Sequence, residues 1–224
     1  MIIEFNGLPG SGKTTIAKAI SDALCKRDIP HCFKYAPAQC RFLRYISYLF
    51  DGSAHLYFLG RKYAKSAGKE NLKEKMAILP VLVYYYRMYR QFSKKCPDQV
   101  LIVDQGFLQG LISIVHTDLV NDTKPLQAIF RFLKKKKLCV HFVHCKNDVN
   151  LAAQRIRERK TNGGRLDAYK DEALIGAMCV QQQNFDLIRS SVDQLPLCRE
   201  LTVDTKCPPE ENAEKILSFC SELQ

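Results

Sequence analysis

Short apolar runs alternate along this chain with longer stretches whose apolar residues recur at helical spacing. The runs Ile2–Phe5, His31–Tyr35, Val100–Val103, Leu138–His144 and Glu200–Val203 are rich in β-branched or aromatic residues, and they predict strands. Strands covered on both faces need not alternate in polarity. The stretches between them predict helices at about Lys13 to Arg27, Val149 to Lys160, onward from the next loop to about Arg189, and Pro209 to Phe219. Asn147 or Asp148 is placed to cap the second of these, and Glu210 and Glu211 occupy the first turn of the last, where the helix dipole favours them. A helical region from about Arg41 to Lys95 is broken near Asp51-Gly52 and Ala67-Gly68, with Pro80 a candidate kink. It is too long for a simple crossover, so it predicts a helical subregion on the substrate side. Strands alternating with helices, with no repeat or Pro/Gly-rich linker, predict one α/β domain over residues 1–224 with a parallel sheet.

The first predicted strand runs into Gly7-Leu8-Pro9-Gly10-Ser11-Gly12-Lys13-Thr14, a full match to G-x-x-x-x-G-K-S/T, and an amphipathic helix follows. Glycines let the backbone turn tightly and aim N–H groups at phosphate oxygens, and the helix N-terminus adds partial positive charge. Gly7, Pro9, Gly10, Ser11, Gly12, Lys13, Thr14 and Thr15 are thus candidate nucleotide-binding residues. Lys13 reaches β- and γ-phosphates in such loops, and the Thr14 hydroxyl ligates Mg²⁺. A second acid is needed near the metal at the end of a neighbouring strand. Leu101-Ile102-Val103-Asp104 supplies it, and Asp104 is a candidate either to hold Mg²⁺ or to accept a hydroxyl proton. Arg155, Arg157 and Arg159 follow the fourth strand, with Arg165 beyond the Thr161-Asn162-Gly163-Gly164 loop. Arg155 and Arg159 share a helix face, and Arg157 points away. Over residues 149–170 this reads as a lid whose Arg155, Arg159 and Arg165 neutralise charge during transfer.

Lys and Arg number 34 against 23 Asp and Glu, a net charge of +11, which suits anionic partners such as nucleotides or phosphorylated metabolites. Polar residues interrupt every apolar stretch before the roughly 18 residues a membrane helix requires. Met1-Ile2-Ile3-Glu4-Phe5 has neither the basic start nor the apolar core of a signal peptide, so a cytoplasmic protein without membrane association is expected. The ten cysteines are scattered without a C-x-x-C pair and read as reduced, mostly packing residues. Lys134 to Lys137 read as a solvated helix end. Cys139, His141, His144 and Cys145 fit no common zinc spacing, and strand alternation puts His144 opposite the other three. No aromatic ladder accompanies the basic residues, so nothing singles out nucleic acid. Lys146-Asn147-Asp148 only looks like a guanine-specifying motif, and ATP is preferred to GTP.

Together these residues resemble the P-loop nucleotide and nucleoside kinases, most closely the thymidylate kinase-like group. The loop through Thr15 looks like that family's. Leu82-Val83-Tyr84-Tyr85-Tyr86-Arg87 resembles its acceptor-site helix, and Arg155-x-x-x-Arg159 with Arg165-Leu166-Asp167 resembles its lid. The resemblance runs through most of the chain in order, with the loop as its one specific motif. It implies a P-loop three-layer α/β/α sandwich, a five-stranded parallel sheet in order 2-3-1-4-5, and ATP with Mg²⁺. It also implies that Arg41, Arg44, Arg87, Arg90, Lys34 and Tyr35 face the acceptor. Three departures stand out. The family's Asp-Arg is here Asp104-Gln105, its acid before proline is here Lys34-Tyr35-Ala36-Pro37, and its lid acid is replaced by Gly164.

Arg87, Tyr35, Arg41, Gln105 and Gln109 are the candidate acceptor-binding residues. Of Tyr84, Tyr85 and Tyr86, at most two can face one pocket. The expectation is a P-loop kinase that passes the γ-phosphoryl group of ATP to a small-molecule acceptor: a nucleoside monophosphate such as thymidylate, a related nucleoside, or a small metabolite. Two other readings stay open: an ATPase acting as a switch or assembly protein, and a kinase or binder of nucleic-acid ends. A homodimer stays open as well, with no residue-level case for partnering through the helices of residues 41–95.

Overall fold

Five short strands, the middle three of them buried, form the centre of the fold, and they pair in the order β2-β3-β1-β4-β5, every pair parallel. The strands are β1 (Ile2–Asn6), β2 (His31–Lys34), β3 (Val100–Val103), β4 (His141–Lys146) and β5 (Arg199–Asp204). The computed structural model describes residues 1–34, 52–68, 71–116, 118–158, 165–192, 195–196 and 198–221. Among these the helices are α1 (Lys13–Lys26), α2 (Ser53–Ser66), α3 (Leu72–Lys95), α4 (Phe107–Val115), α5 (Lys124–Lys135), α6 (Val149–Arg157), α7 (Asp171–Arg189) and α8 (Pro209–Ser221). A short 3₁₀ turn, Arg165–Ala168, precedes α7.

Alternation along β1 divides the core. Ile3 and Phe5 pack with Ile16, Ile20 and Leu24 of α1 and Ile216 and Leu217 of α8. Ile2 points the other way, into a larger cluster built from α2 to α7. The result is the expected α/β/α sandwich with the expected strand order. Among the described residues no helix is long and apolar enough to cross a membrane.

One local reading changes. Leu138 was expected to open β4, but it closes α5. Lys137 is left-handed (φ 50°), the Leu138 N–H reaches Leu133 O at 3.3 Å, and the Lys137 N–H reaches Lys134 O at 3.1 Å. That is a Schellman end, which places an apolar residue just past the helix, so the apolar run begins before the strand. Pro80 lies inside α3, which continues past it, and burial of Leu79, Pro80, Leu82 and Val83 offsets the missing hydrogen bond there. Among the described cysteines, Cys145, Cys198 and Cys220 are buried, Cys32, Cys96 and Cys207 are partly buried, and Cys25, Cys139 and Cys179 are exposed.

Buried Lys75 of α3 joins the end of α2 to the loop after α4. It ends α2 by donating to Ala67 O (3.3 Å) and Gly68 O (3.2 Å), and it pairs with Asp118 beyond α4. The four lysines 134–137 are exposed, as expected of a solvated helix end.

Candidate active site

The loop between β1 and α1 is set by close backbone approaches. Gly10 has φ +80°, and a Cβ there would meet Ala152 O of α6 at 2.5 Å. A Cβ on Gly7 (φ +141°) would meet Cys145 O of β4 at 2.7 Å. Side chains at either position would push the loop off the sheet's carboxyl edge. Lys13 is buried, and its Nζ donates to Gly7 O (2.9 Å) and Leu8 O (2.8 Å), so its charge lies within the curl of the loop. Pro9, Gly10, Gly12, Lys13, Thr14 and Thr15 line a cavity of about 980 Å³, while Gly7 and Ser11 lie buried outside its lining.

Asp104 ends β3 beside this loop. Thr14 Oγ1 lies 3.1 and 3.0 Å from its two carboxylate oxygens. Burial pushes the Asp104 carboxyl above its ordinary range, and the Thr14 hydrogen bond and the Lys13 charge oppose that shift. Thr14 and Asp104 converge as hard oxygen donors at the loop, a donor set that fits Mg²⁺.

The turn after Asp104 is held by a residue that sequence reasoning missed. Glu4 points from β1 into the α3–α4 side, fully buried. Its Oε2 accepts from Tyr89 Oη of α3 (2.7 Å), and its Oε1 accepts from the Leu108 N–H in the first turn of α4 (2.7 Å). The Phe107 N–H donates to Tyr89 Oη at 3.4 Å. Burial pushes the Glu4 carboxyl up to about 7 against these stabilising bonds. This packing also explains Gly106: a Cβ there would lie 2.2 Å from Tyr89 Oη and 2.5 Å from Glu4 Cδ. The only hint in the sequence is a carboxylate at an inward position of an apolar strand.

The cavity continues from Gln105 along one face of α4, where Gln109 and Ser113 line it, to His116 just past the helix. It is closed by Leu166 and Asp167 of the 3₁₀ turn and by Gln181 of α7, whose Nε2 lies 3.2 Å from His116 Nδ1. At the loop end it is walled by Thr205, Lys206, Cys207, Pro208 and Pro209, and by Arg155. Arg155 Nη1 donates to Gly10 O at 3.3 Å. Arg155 and Thr205 both approach the Gly12 backbone. Gln105, Gln109, Arg155 and Thr14 therefore line one cavity, Asp104 is joined to it through Thr14 without being part of the lining, and Arg165 opens the adjoining turn. Arg157 faces away and pairs with Asp171 (3.4 Å).

Arg87 is half-buried on α3 and is not part of this lining, and Tyr86 packs on Phe132 with the Arg90 guanidinium over its ring. Tyr35, Arg41, Arg44 and Arg159 lie outside the described residues. On β4, His144 faces Asn6 and Phe185, while His141 faces Phe219 on the opposite side, as strand alternation requires. Burial pushes the His144 imidazole down to about 3, so it is neutral. Ser113 of α4, His116 just past it and Gln181 of α7 were not foreseen, although the spacing of Gln109 and Ser113 on one helix face was available in the sequence.

No protein-family profile matches the sequence, and no curated protein matches it. Solved structures do. A deoxyadenosine kinase from M. mycoides, with products dCMP and a flexible dCDP bound, aligns over 100% of both chains with a TM-score of 0.59 and 15% identity. The same enzyme with dATP bound aligns over 99% of this chain and 100% of the other, with a TM-score of 0.59 and 18% identity. At this identity the likeness shows the fold alone, one shared with these deoxyadenosine kinase structures.

Proposed function

We propose that this protein is an ATP-dependent phosphotransferase that moves the γ-phosphoryl group of ATP to a hydroxyl of a small acceptor, a nucleoside or nucleoside monophosphate. The observation that carries this reading is one continuous cavity. It holds a phosphate loop and α1 N-terminus at one end and a polar helix face at the other, with Asp104 hydrogen-bonded to Thr14 of the loop. The fold shared with the M. mycoides deoxyadenosine kinase supports it.

The triphosphate lies over residues 7–15, and Lys13 exchanges its loop carbonyls for phosphate oxygens. The donor's base and ribose lie against Thr205 to Pro209 and Arg155. Thr14 and Asp104 would hold Mg²⁺, which supplies neutralising charge at the phosphate oxygens when bound. The acceptor oxygen bonds to the γ-phosphorus as the bridge to the β-phosphate breaks, releasing ADP. Asp104 serves in one of two ways: as a Mg²⁺ ligand beside Thr14, or as the base that takes the hydroxyl proton while Thr14 keeps the metal. Arg155, with Arg159 and Arg165 from the same segment, neutralises charge as it develops.

The test is an ADP-release screen with nucleosides, nucleoside monophosphates and sugars, with Lys13→Ala as the blank. Lys13-dependent ADP release that requires an acceptor supports the reading. ATP hydrolysis that no acceptor stimulates contradicts it.

A further inference from the structure

A cavity of about 700 Å³ opens between α2 and α5. Helix α5 leads into β4, so its end sits at the amino edge of the parallel sheet, whereas the phosphate loop leaves β1 at the carboxyl edge. His55 and Leu59 of α2 line one side of this cavity, and Arg131, Lys134, Lys135 and Lys136 line the other. Among the described residues no Asp or Glu lines it, and none of the four cations has an ion-pair partner. Cations elsewhere do pair: Lys75 with Asp118, Arg157 with Asp171, and Arg189 with Asp186 and Glu200.

A solvated helix end accounts for the exposure of the lysines but not for their convergence. Arg131, Lys134 and Lys135 are spaced i, i+3 and i+4, so like charges share one face of α5 and repel. Lys136, just past the helix, turns across Phe132, with Nζ 5.8 Å from the ring centroid. That brings it to the start of α2: a Cβ on Gly52, the residue before that helix, would lie 3.3 Å from Lys136 Nζ. A helix start carries partial positive charge, and α2 has neither a side-chain cap nor an acid in its first turn to offset it. Positive groups from two elements thus meet in one space with no carboxylate among them, a repulsion that a bound anion relieves.

Charge and size say which anion. Four cations in a space of small-ligand dimensions match a compact anion of about three or four negative charges, and the Arg131 fork suits phosphate oxygens. Phe132 is 7% exposed, with the His55 ring 5.5 Å away and Lys136 over its face, so it offers no open platform for stacking a nucleic-acid base.

We propose that this cavity is a second anion site, one that takes a small polyphosphate and lies apart from the site of phosphoryl transfer. The assignment does not depend on the proposed function. Its ligand chemistry is a chain of phosphates, either free or as the tail of a nucleotide.

The test titrates the full chain at low ionic strength with inorganic tripolyphosphate, followed by calorimetry and by proton NMR of the His55 ring. Binding at the phosphate loop and binding here should appear as separate events, and the His55 resonances should follow only the second. Lys134→Gln with Lys136→Gln should weaken that event at least about tenfold, abolish the His55 response and leave the first event. Lys13→Ala should do the reverse. Lys26→Gln with Lys215→Gln removes equal charge from α1 and α8, on the opposite face of the sheet, and should leave both events. A single event that Lys13→Ala removes and the α5 pair leaves untouched overturns the proposal. So does an equal loss from both lysine pairs, which is attraction to net charge alone, or a short single-stranded DNA that moves His55 at lower concentration than tripolyphosphate. ATP separates the two sources. A His55 response at lower concentration than tripolyphosphate assigns the site to a nucleotide tail, and an equal or weaker one assigns it to the free anion. A response to ATP with none to tripolyphosphate overturns recognition of the phosphates themselves.

Discussion

The two ends of the cavity are built in opposite ways. The donor end is one contiguous stretch, Gly7 to Thr15, whose shape comes from backbone contacts with β4 and α6. The acceptor end is assembled from β3, α4, the 3₁₀ turn and α7, and its first turn is held by a carboxylate from β1 and a phenol from α3. Contiguity makes the first end insensitive to which acceptor is used. Assembly makes the second tunable one side chain at a time. Damage to the loop should therefore abolish chemistry with every acceptor, and damage around α4 should alter stability or selectivity.

The largest expected effect is at the loop. Lys13→Ala should lower kcat/KM at least about 10³-fold with any acceptor, with the far-ultraviolet circular dichroism unchanged. Asp104→Asn should cost about 10²–10⁴-fold in kcat. The native transfer rate should fall as pH drops through the raised Asp104 pKa when Asp104 is the base, and should show no such limb when Asp104 holds Mg²⁺, which keeps it ionised. In Asp104→Asn that acid limb should vanish from the residual rate; its persistence would assign the limb to another group. Arg155→Ala should lower kcat about a hundredfold and weaken ATP binding less, as steady-state kinetics beside direct ATP titration would show. An equal loss in both would make Arg155 a binding residue only.

At the assembled end the effects are smaller and of another kind. Gly106→Ala puts a methyl against Tyr89 Oη and Glu4, and should cost about 1–3 kcal/mol in urea unfolding. A neutral result would mean that the α4 turn is not held by this contact. The smallest effect is a slope. A carboxyl with a raised folded-state pKa binds its proton more tightly in the native protein, so its contribution to stability declines as pH rises from the unfolded value through about 7. Native stability should thus fall between pH 4.5 and 7 relative to Glu4→Gln, which has no proton to lose. Parallel stability curves for the two proteins would contradict a raised Glu4 pKa.

The same contrast explains what could be read in the sequence. The loop was legible because each residue obeys a local rule of backbone conformation. Asp104 was legible because an acid closing an apolar strand lies at the sheet's carboxyl edge. The strand order came through the resemblance to the thymidylate kinase-like group, and the sheet bears it out. Glu4 was not legible, because its partners Tyr89 and Leu108 lie 85 and 104 positions away. Gln181 was hidden likewise, since nothing local joins α7 to α4. Leu138 misled for a local reason: a helix end and a strand start both call for an apolar residue there, and the left-handed Lys137 decided between them.

The account's central claim is that the two ends serve one reaction, and following the phosphorus tests it most directly. ³¹P NMR of the protein with ATP, Mg²⁺ and a mixture of nucleosides should show a new phosphomonoester resonance growing in step with ADP, absent when Lys13→Ala replaces the native chain. ADP accompanied by inorganic phosphate alone would contradict the claim and leave a nucleotide switch in its place.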